Sequence, residues 1–161
     1  MVAQSEHGER SGGSEVILVG PGGGRVYEQG GLRGAIKVDD EESGGRQCFS
    51  EWTVDAGGAG PPLHLHREHQ EAFFVVEGRL TFRAGEETIE AETGAFIFIP
   101  AGVAHTFSNR SDAPARCVNA YVPGGIEGFF IEVGQAMRSG EPDPAEIERL
   151  SAKYDVYFLE S

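Results

Sequence analysis

From residue 47 to residue 122 the chain is a succession of short apolar-rich runs, each stopped by glycine, proline or an acidic-glycine turn. That rhythm constrains the fold more than any other feature. It predicts strands over 47–54, 72–76, 80–83, 88–90, 95–99, 103–107 and 115–122, with turns at Glu77-Gly78, Ala84-Gly85-Glu86 and Pro100 to Gly102. Many short strands at regular spacing make an all-β sandwich or barrel. The 24 glycines fit a fold with many tight turns. Upstream, 15–19, 25–27 and 35–38 read as further strands, and 39–45 as an acidic, glycine-containing loop. The run Gly20-Pro21-Gly22-Gly23-Gly24 is followed by neither a helix nor Lys-Ser/Thr, so it reads as a turn and not as a phosphate loop.

The period changes near the C-terminus. Ile126, Phe129, Phe130, Val133 and Met137 fall on one helical face, with Glu127 in the first turn. Pro142-Asp143-Pro144 starts a second helix, with Asp143 as N-cap, Pro144 in the first turn and Glu146 in a capping-box position. Ile147, Leu150 and Tyr154 form its apolar face, and 156–159 adds a final strand. The expected organisation is a disordered tail over 1–14, a β domain over 15–125 and a helical extension over 126–161 at the outside or mouth of the barrel.

Chemistry concentrates in His64-Leu65-His66, Glu71 and His105. Residues two apart on an extended strand share a face, so His64 and His66 point the same way. With Glu71 they form a three-point grip, and His105 supplies a fourth ligand from another strand. Nitrogen and oxygen donors in this mixture suit one divalent transition metal, Fe, Mn, Ni, Co, Cu or Zn, better than Ca or Mg. Phe73 and Val75 share the parity of Glu71, and Phe107 that of His105, so these residues are expected to line the cavity, together with Phe98. Tyr121 alternates with Cys117 and Asn119 on one strand face and offers a hydroxyl to the pocket. His69 is expected to be an exposed loop residue or a support beside the ligands. Asn109 is expected to fix a turn, and Trp52 to pack in the core.

The spacing is Gly58, five residues, His64-Leu65-His66, four residues, Glu71, six residues, Gly78; then Gly94, five residues, Pro100, one residue, Gly102, two residues, His105, three residues, Asn109. These two segments resemble the paired motifs of the cupin family at every defining position. The short stretch between them resembles that of small single-domain bacterial cupins, and the C-terminal part more loosely resembles quercetinase-like members. The resemblance implies a double-stranded β-helix, or jelly-roll, barrel with short C-terminal helices. It implies that His64, His66, Glu71 and His105 ligate the metal, and that Glu71 is also a candidate catalytic base if burial lifts its pKa towards neutrality. The implied activity is a metal-dependent dioxygenase acting on a flavonol-like or other aromatic enol, with dioxygen as co-substrate. Two alternatives stay open: a polyketide cyclase or isomerase using the metal as a Lewis acid, and a non-catalytic small-molecule-binding cupin. A homodimer formed by strand exchange or sheet packing, with the strands over 16–38 as donors, is also implied.

Composition sets the remaining bounds. At 161 residues one domain with a true core is expected. A formal charge of -13 disfavours nucleic acid and anionic membrane surfaces as partners. No apolar run is long enough to span a bilayer, and no charged-then-apolar leader pattern opens the chain. Cys48 and Cys117 lack CxxC spacing and read as two reduced, buried thiols, so the expected location is the cytoplasm.

Overall fold

The computed structural model describes residues 16–29, 31–140 and 143–159. The expected tail over 1–14 lies outside the described residues. In chain order the elements are β1 (Arg25–Gln29), β2 (Leu32–Val38), α1 (Asp40–Ser43), β3 (Cys48–Val54), β4 (His64–Leu65), β5 (Gln70–Glu77), β6 (Arg79–Ala84), β7 (Glu87–Glu92), β8 (Phe96–Ile99), β9 (His105–Ser108), β10 (Ala115–Val122), α2 (Glu127–Ser139), α3 (Pro144–Lys153) and β11 (Tyr157–Phe158). The strands form two antiparallel sheets. One has the order β1-β2-β3-β10-β5-β8 and the other β11-β4-β9-β6-β7. The architecture is a jelly roll, but among the described residues the strands pair as two separate sheets and not as one closed ring of strands.

Alternation decides which face of each strand goes inward. In β3, Cys48, Ser50, Trp52 and Val54 are buried; in β10, Ala115, Cys117, Asn119 and Tyr121 are buried. Between the sheets, Phe73 meets Phe82 and Phe107 with ring centroids 5.0 and 5.5 Å apart. Truncating such a buried phenylalanine costs about 3–5 kcal/mol. A second apolar cluster joins Ile36, Cys48 and Tyr121 to Ile126, Phe129, Val133 and Leu150, and so fastens the two C-terminal helices to the sheet. α3 starts as predicted, with Asp143 accepting from the Ala145 amide and Pro144 in the first turn. In α2 the expected apolar face is buried at Ile126, Phe129 and Val133; the Met137 side chain lies outside the described ones.

Two expectations are corrected. Residues 16–19 form no strand; Val16 is 97% exposed and Leu18 80%, because an apolar run without a neighbouring strand has no ladder to join. The loop over 39–45 contains α1, nucleated by a reciprocal capping box between Asp39 and Glu42 and ended by Gly44 in the left-handed conformation. The C-terminal extension carries the final strand expected over 156–159. Its last strand, β11, pairs with β4 through Tyr157↔Leu65 and Phe158↔His64, and so becomes an edge of the second sheet. Among the described residues no helix is long and apolar enough to cross a membrane.

Candidate metal centre

The four polar residues singled out by spacing converge between the sheets. His64 on β4 lies in register opposite His105 on β9. His66 follows two residues later, and Glu71 enters from β5 in the other sheet. One donor atom from each lies within 4.8 Å of all the others, and all four residues are buried. The His64 and His105 ring centroids are 4.4 Å apart. His105 Nε2 lies 2.7 Å from Glu71 Oε2, and His66 Nε2 lies 3.5 Å from the same oxygen.

Each histidine is oriented by a main-chain carbonyl. Nδ1 donates to the Pro62 carbonyl in His64 (2.9 Å), to the Asp155 carbonyl in His66 (2.7 Å) and to the Val103 carbonyl in His105 (2.9 Å). A carbonyl can only accept, so Nδ1 carries a proton in every ring and the Nε2 atoms face the centre, that of His105 donating to Glu71 Oε2. His66 Nε2 is buried without a hydrogen-bond partner. An orphaned imidazole nitrogen, two further imidazoles and a buried carboxylate fit a divalent transition metal in donor type and number.

The electrostatics follow from burial and proximity. Burial, aided by His105, lowers the His64 pKa to about 4, so its ring is neutral at pH 7. Burial pushes Glu71 upward, but the hydrogen bond from His105 and the nearby His66 ring outweigh it and hold the carboxyl well below the ordinary range. The expectation of a Glu71 pKa raised towards neutrality is thus corrected: the histidines keep it ionised. Burial lowers the His105 pKa, yet the bond to Glu71 wins and the net shift is upward. Tyr121 sits across from Glu71 in the β10–β5 register, and burial next to that carboxylate keeps its phenol protonated.

A cavity of about 1010 Å³ opens over His64, His66 and Glu71. Phe107 and Tyr121 line it as expected, and Trp52 is cavity wall as well as core. Tyr27 and Phe130 of α2 stack at 4.9 Å, with Trp52 edge-on to both. The Tyr27 ring rests on Gly34, where a Cβ would stand 2.1 Å from Cζ, so this wall depends on a residue without a side chain. Phe73 and Val75 point inward but pack in the core and are not part of the cavity wall. Phe98 is corrected: on β8 the inward residues are Ile97 and Ile99, and Phe98 is 53% exposed on the outer face. A run apolar at every position carries no parity signal, which is why its direction was not readable.

His69 is not an exposed residue. It is buried, with Nδ1 2.8 Å from Asp155 Oδ2, and it stands apart from the group of four. Asn109 fixes the turn after β9, donating to the Val54 and Ala113 carbonyls. Two residues at the site were not singled out from sequence. Asn119 donates from Nδ2 to Glu71 Oε1 at 2.7 Å; its alternation with Tyr121 was the available signal. Asp155 supports His66 and His69 from 89 and 86 positions away, and nothing local in the sequence marks it.

Residues 50–121 match the family model described as Cupin domain. A stretch of 71 residues is 32% identical to quercetin 2,3-dioxygenase of Bacillus subtilis, covering 44% of this chain and 21% of that protein. Another of 42 residues is 43% identical to an uncharacterized protein of Streptomyces coelicolor, covering 26% of this chain and 40% of that one. The matched stretches therefore span less than half the length of either curated relative. Among solved structures, an RmlC-like cupin from Shewanella frigidimarina superposes with a TM-score of 0.57 at 20% identity, over 69% of this chain and 93% of that one. KdgF from a Halomonas species gives 0.57 at 15%, over 65% and 92%. At these identities the likeness is one of fold, a cupin-like jelly roll, and over residues 50–121 the chain is similar to the Cupin domain family.

Proposed function

We propose that the protein is a metal-dependent, dioxygenase-like enzyme acting on a flavonol-like or other aromatic enol, with His64, His66, Glu71 and His105 holding one divalent transition metal. The observation that carries this reading is the buried cluster lining a cavity whose walls include several aromatic rings. When bound, the metal supplies Lewis acidity towards an enol oxygen and, if redox-active, a partner for dioxygen. The similarity of one segment to quercetin 2,3-dioxygenase supports the same substrate class.

The chain's own residues account for substrate binding. Trp52, Phe107 and Phe130 offer faces and edges to a flat ring. Phe129 and Phe130 of α2 add apolar wall to the cavity. Among the described lining residues there is no Lys or Arg, so away from the metal the cavity offers a phosphate or sulfate group no counter-charge. Glu71 is held ionised, with Asn119 on Oε1 and His105 on Oε2, so it offers a substrate hydroxyl a hydrogen-bond acceptor. The test is anaerobic substrate binding followed by oxygen uptake, run on metal-loaded protein with a panel of flavonols and enediols. Uptake matched to substrate loss supports the reading, and no uptake across the panel removes it. Turnover without oxygen transfers the site to the Lewis-acid cyclase or isomerase class.

A second copy of this chain is the proposed partner. Phe74, Phe96, Phe98, Val118 and Val122 are exposed together on the outer face of the larger sheet. Val118, Phe74 and Phe96 are neighbours across β10, β5 and β8. Beside them Lys37, Arg116, Glu51 and Glu77 form mutual ion pairs. This charge-balanced border lets two copies of an acidic protein approach, and the uncovered run 16–18 offers a strand for exchange. The two cysteines are free and buried, which supports the cytoplasm as the proposed location.

A further inference from the structure

Between α3 and β11 the chain turns at Asp155, whose φ of 58° lies in the left-handed region; it is the one non-glycine residue with positive φ among those described. An L-residue occupies that region at a cost, which Asp and Asn bear best, and it stays there only where the surroundings hold it. Both halves of Asp155 are held. Its carboxylate accepts the backbone N–H groups of Arg67 (2.8 Å), Glu68 (2.8 Å) and His69 (3.0 Å), and the Nδ1 of His69 (2.8 Å). Its carbonyl accepts from Nδ1 of His66.

We propose that Asp155 is a positioning residue for the metal centre: it fixes the loop between His66 and Glu71 and sets the orientation and tautomer of His66. Three consecutive amides aimed at one carboxylate close the loop into a single conformation. The loop leads from one ligand directly into the strand that carries another. His69 completes the cap as a side-chain donor, which gives this buried histidine a role other than ligation. The neighbouring contacts act in the same direction. β11 pairs Phe158 with His64, the Leu159 amide donates to the Leu63 carbonyl, and the Arg67 guanidinium lies 4.1 Å over the Tyr157 ring. The C-terminal segment thus braces both histidines of the first motif, and the ligand set is built from three separated parts of the chain.

The metal-affinity consequence rests on the reading of His66 as a ligand; the tautomer does not. The test therefore uses two measurements on the full chain. Nitrogen-15 NMR of the metal-free protein reads the His66 tautomer, and chelator competition with Co²⁺ reads affinity. In the wild type His66 is the Nδ1–H form. Asp155→Ala, checked for fold by circular dichroism, keeps the main-chain carbonyl but loses the carboxylate that anchors it; with that carbonyl released from its position, His66 is expected to populate both tautomers and Co²⁺ to bind about 10–100-fold more weakly. Asp155→Asn tolerates positive φ and keeps one acceptor oxygen, so it is expected to fall between the two. A folded Asp155→Ala protein that keeps the single Nδ1–H form overturns the proposal. If that variant does not fold, Asp155→Asn decides by the same reading, its wild-type behaviour in both measurements being the overturning result. A wild type that binds no Co²⁺ removes the metal reading, and the tautomer alone then judges Asp155.

Discussion

Asn119 donates from Nδ2 to Glu71 Oε1 at 2.7 Å, from the strand beside it and with no exposure to solvent. On the other oxygen, Oε2, His105 stands at the same distance. The carboxylate is therefore gripped at both ends, which is how a fully buried acid stays ionised. The Oδ1 of Asn119 accepts in turn from the Ser50 hydroxyl, 3.3 Å away, so one side chain satisfies both neighbours. Asn119→Leu should strip the donor from a buried charge and the acceptor from Ser50. The expected loss is about 1–3 kcal/mol, read by urea unfolding of metal-free protein. Asn119→Asp should be worse, because two buried like charges would then face each other. A variant as stable as the wild type would show that Glu71 does not need this donor.

Acidification should destabilise the metal-free protein from about pH 6.5 to about pH 4. Folding lowers the His64 pKa from its ordinary 6.5 to about 4, so in this window the unfolded chain binds a proton that the folded chain refuses. Stability from His64 is complete above 6.5 and lost as pH falls. His105 acts with the opposite sign. Its pKa is raised by Glu71, so its contribution is present below 6.5 and is lost as pH rises through the raised value. Thermal melts of chelated protein between pH 4 and 9 should therefore show a maximum near neutrality. His64→Asn should flatten the acid limb, and an acid limb unchanged by that substitution would exclude His64 as its source.

The β-rich architecture was legible because alternation leaves a readable trace wherever one strand face is buried and the other wet, as in β3 and β10. The cluster of four was legible because HxH on a strand, a carboxylate and a distant histidine have few other uses at that spacing. Legibility failed where the trace is absent. The run around Phe98 is apolar on both faces, so its register could not be read. Residues 16–19 have the composition of a strand, but a strand exists only where another pairs with it. Asp155 is a loop aspartate in sequence, and its role arises from a contact with residues more than eighty positions upstream.

Metal should stabilise the fold in proportion to its occupancy. A ligand that binds only the folded state adds about 4 kcal/mol at a concentration a thousandfold above its dissociation constant. Adding Co²⁺, Ni²⁺ or Fe²⁺ to chelated protein should raise the melting temperature by several degrees, and His105→Ala should lose most of that shift. Metal analysis of untagged protein should find one ion per chain in the wild type and none in His64→Ala. No thermal shift with any of these ions, in a protein that keeps its fold, would leave the His-rich cluster without a metal role.

The outer face of the larger sheet should hold two copies together. Its exposed side chains, three phenylalanines and two valines at 37–67% exposure, present roughly 400–500 Å² of apolar surface, at the upper end of what monomers leave bare. Two such patches face to face, with their rims, approach the area of a stable interface of about 1,200 Å². β8 is also an edge strand, so its free backbone groups add to the cost of leaving this face uncovered. Phe98→Glu places a charge in the patch without touching the interior, since its side chain points to the outer face of the sheet. Sedimentation should show a dimer for the wild type and a monomer for Phe98→Glu, with the melting behaviour of each metal-free monomer unit retained. A wild type that sediments as a monomer at working concentration would remove the second copy as partner and leave this face to a different protein.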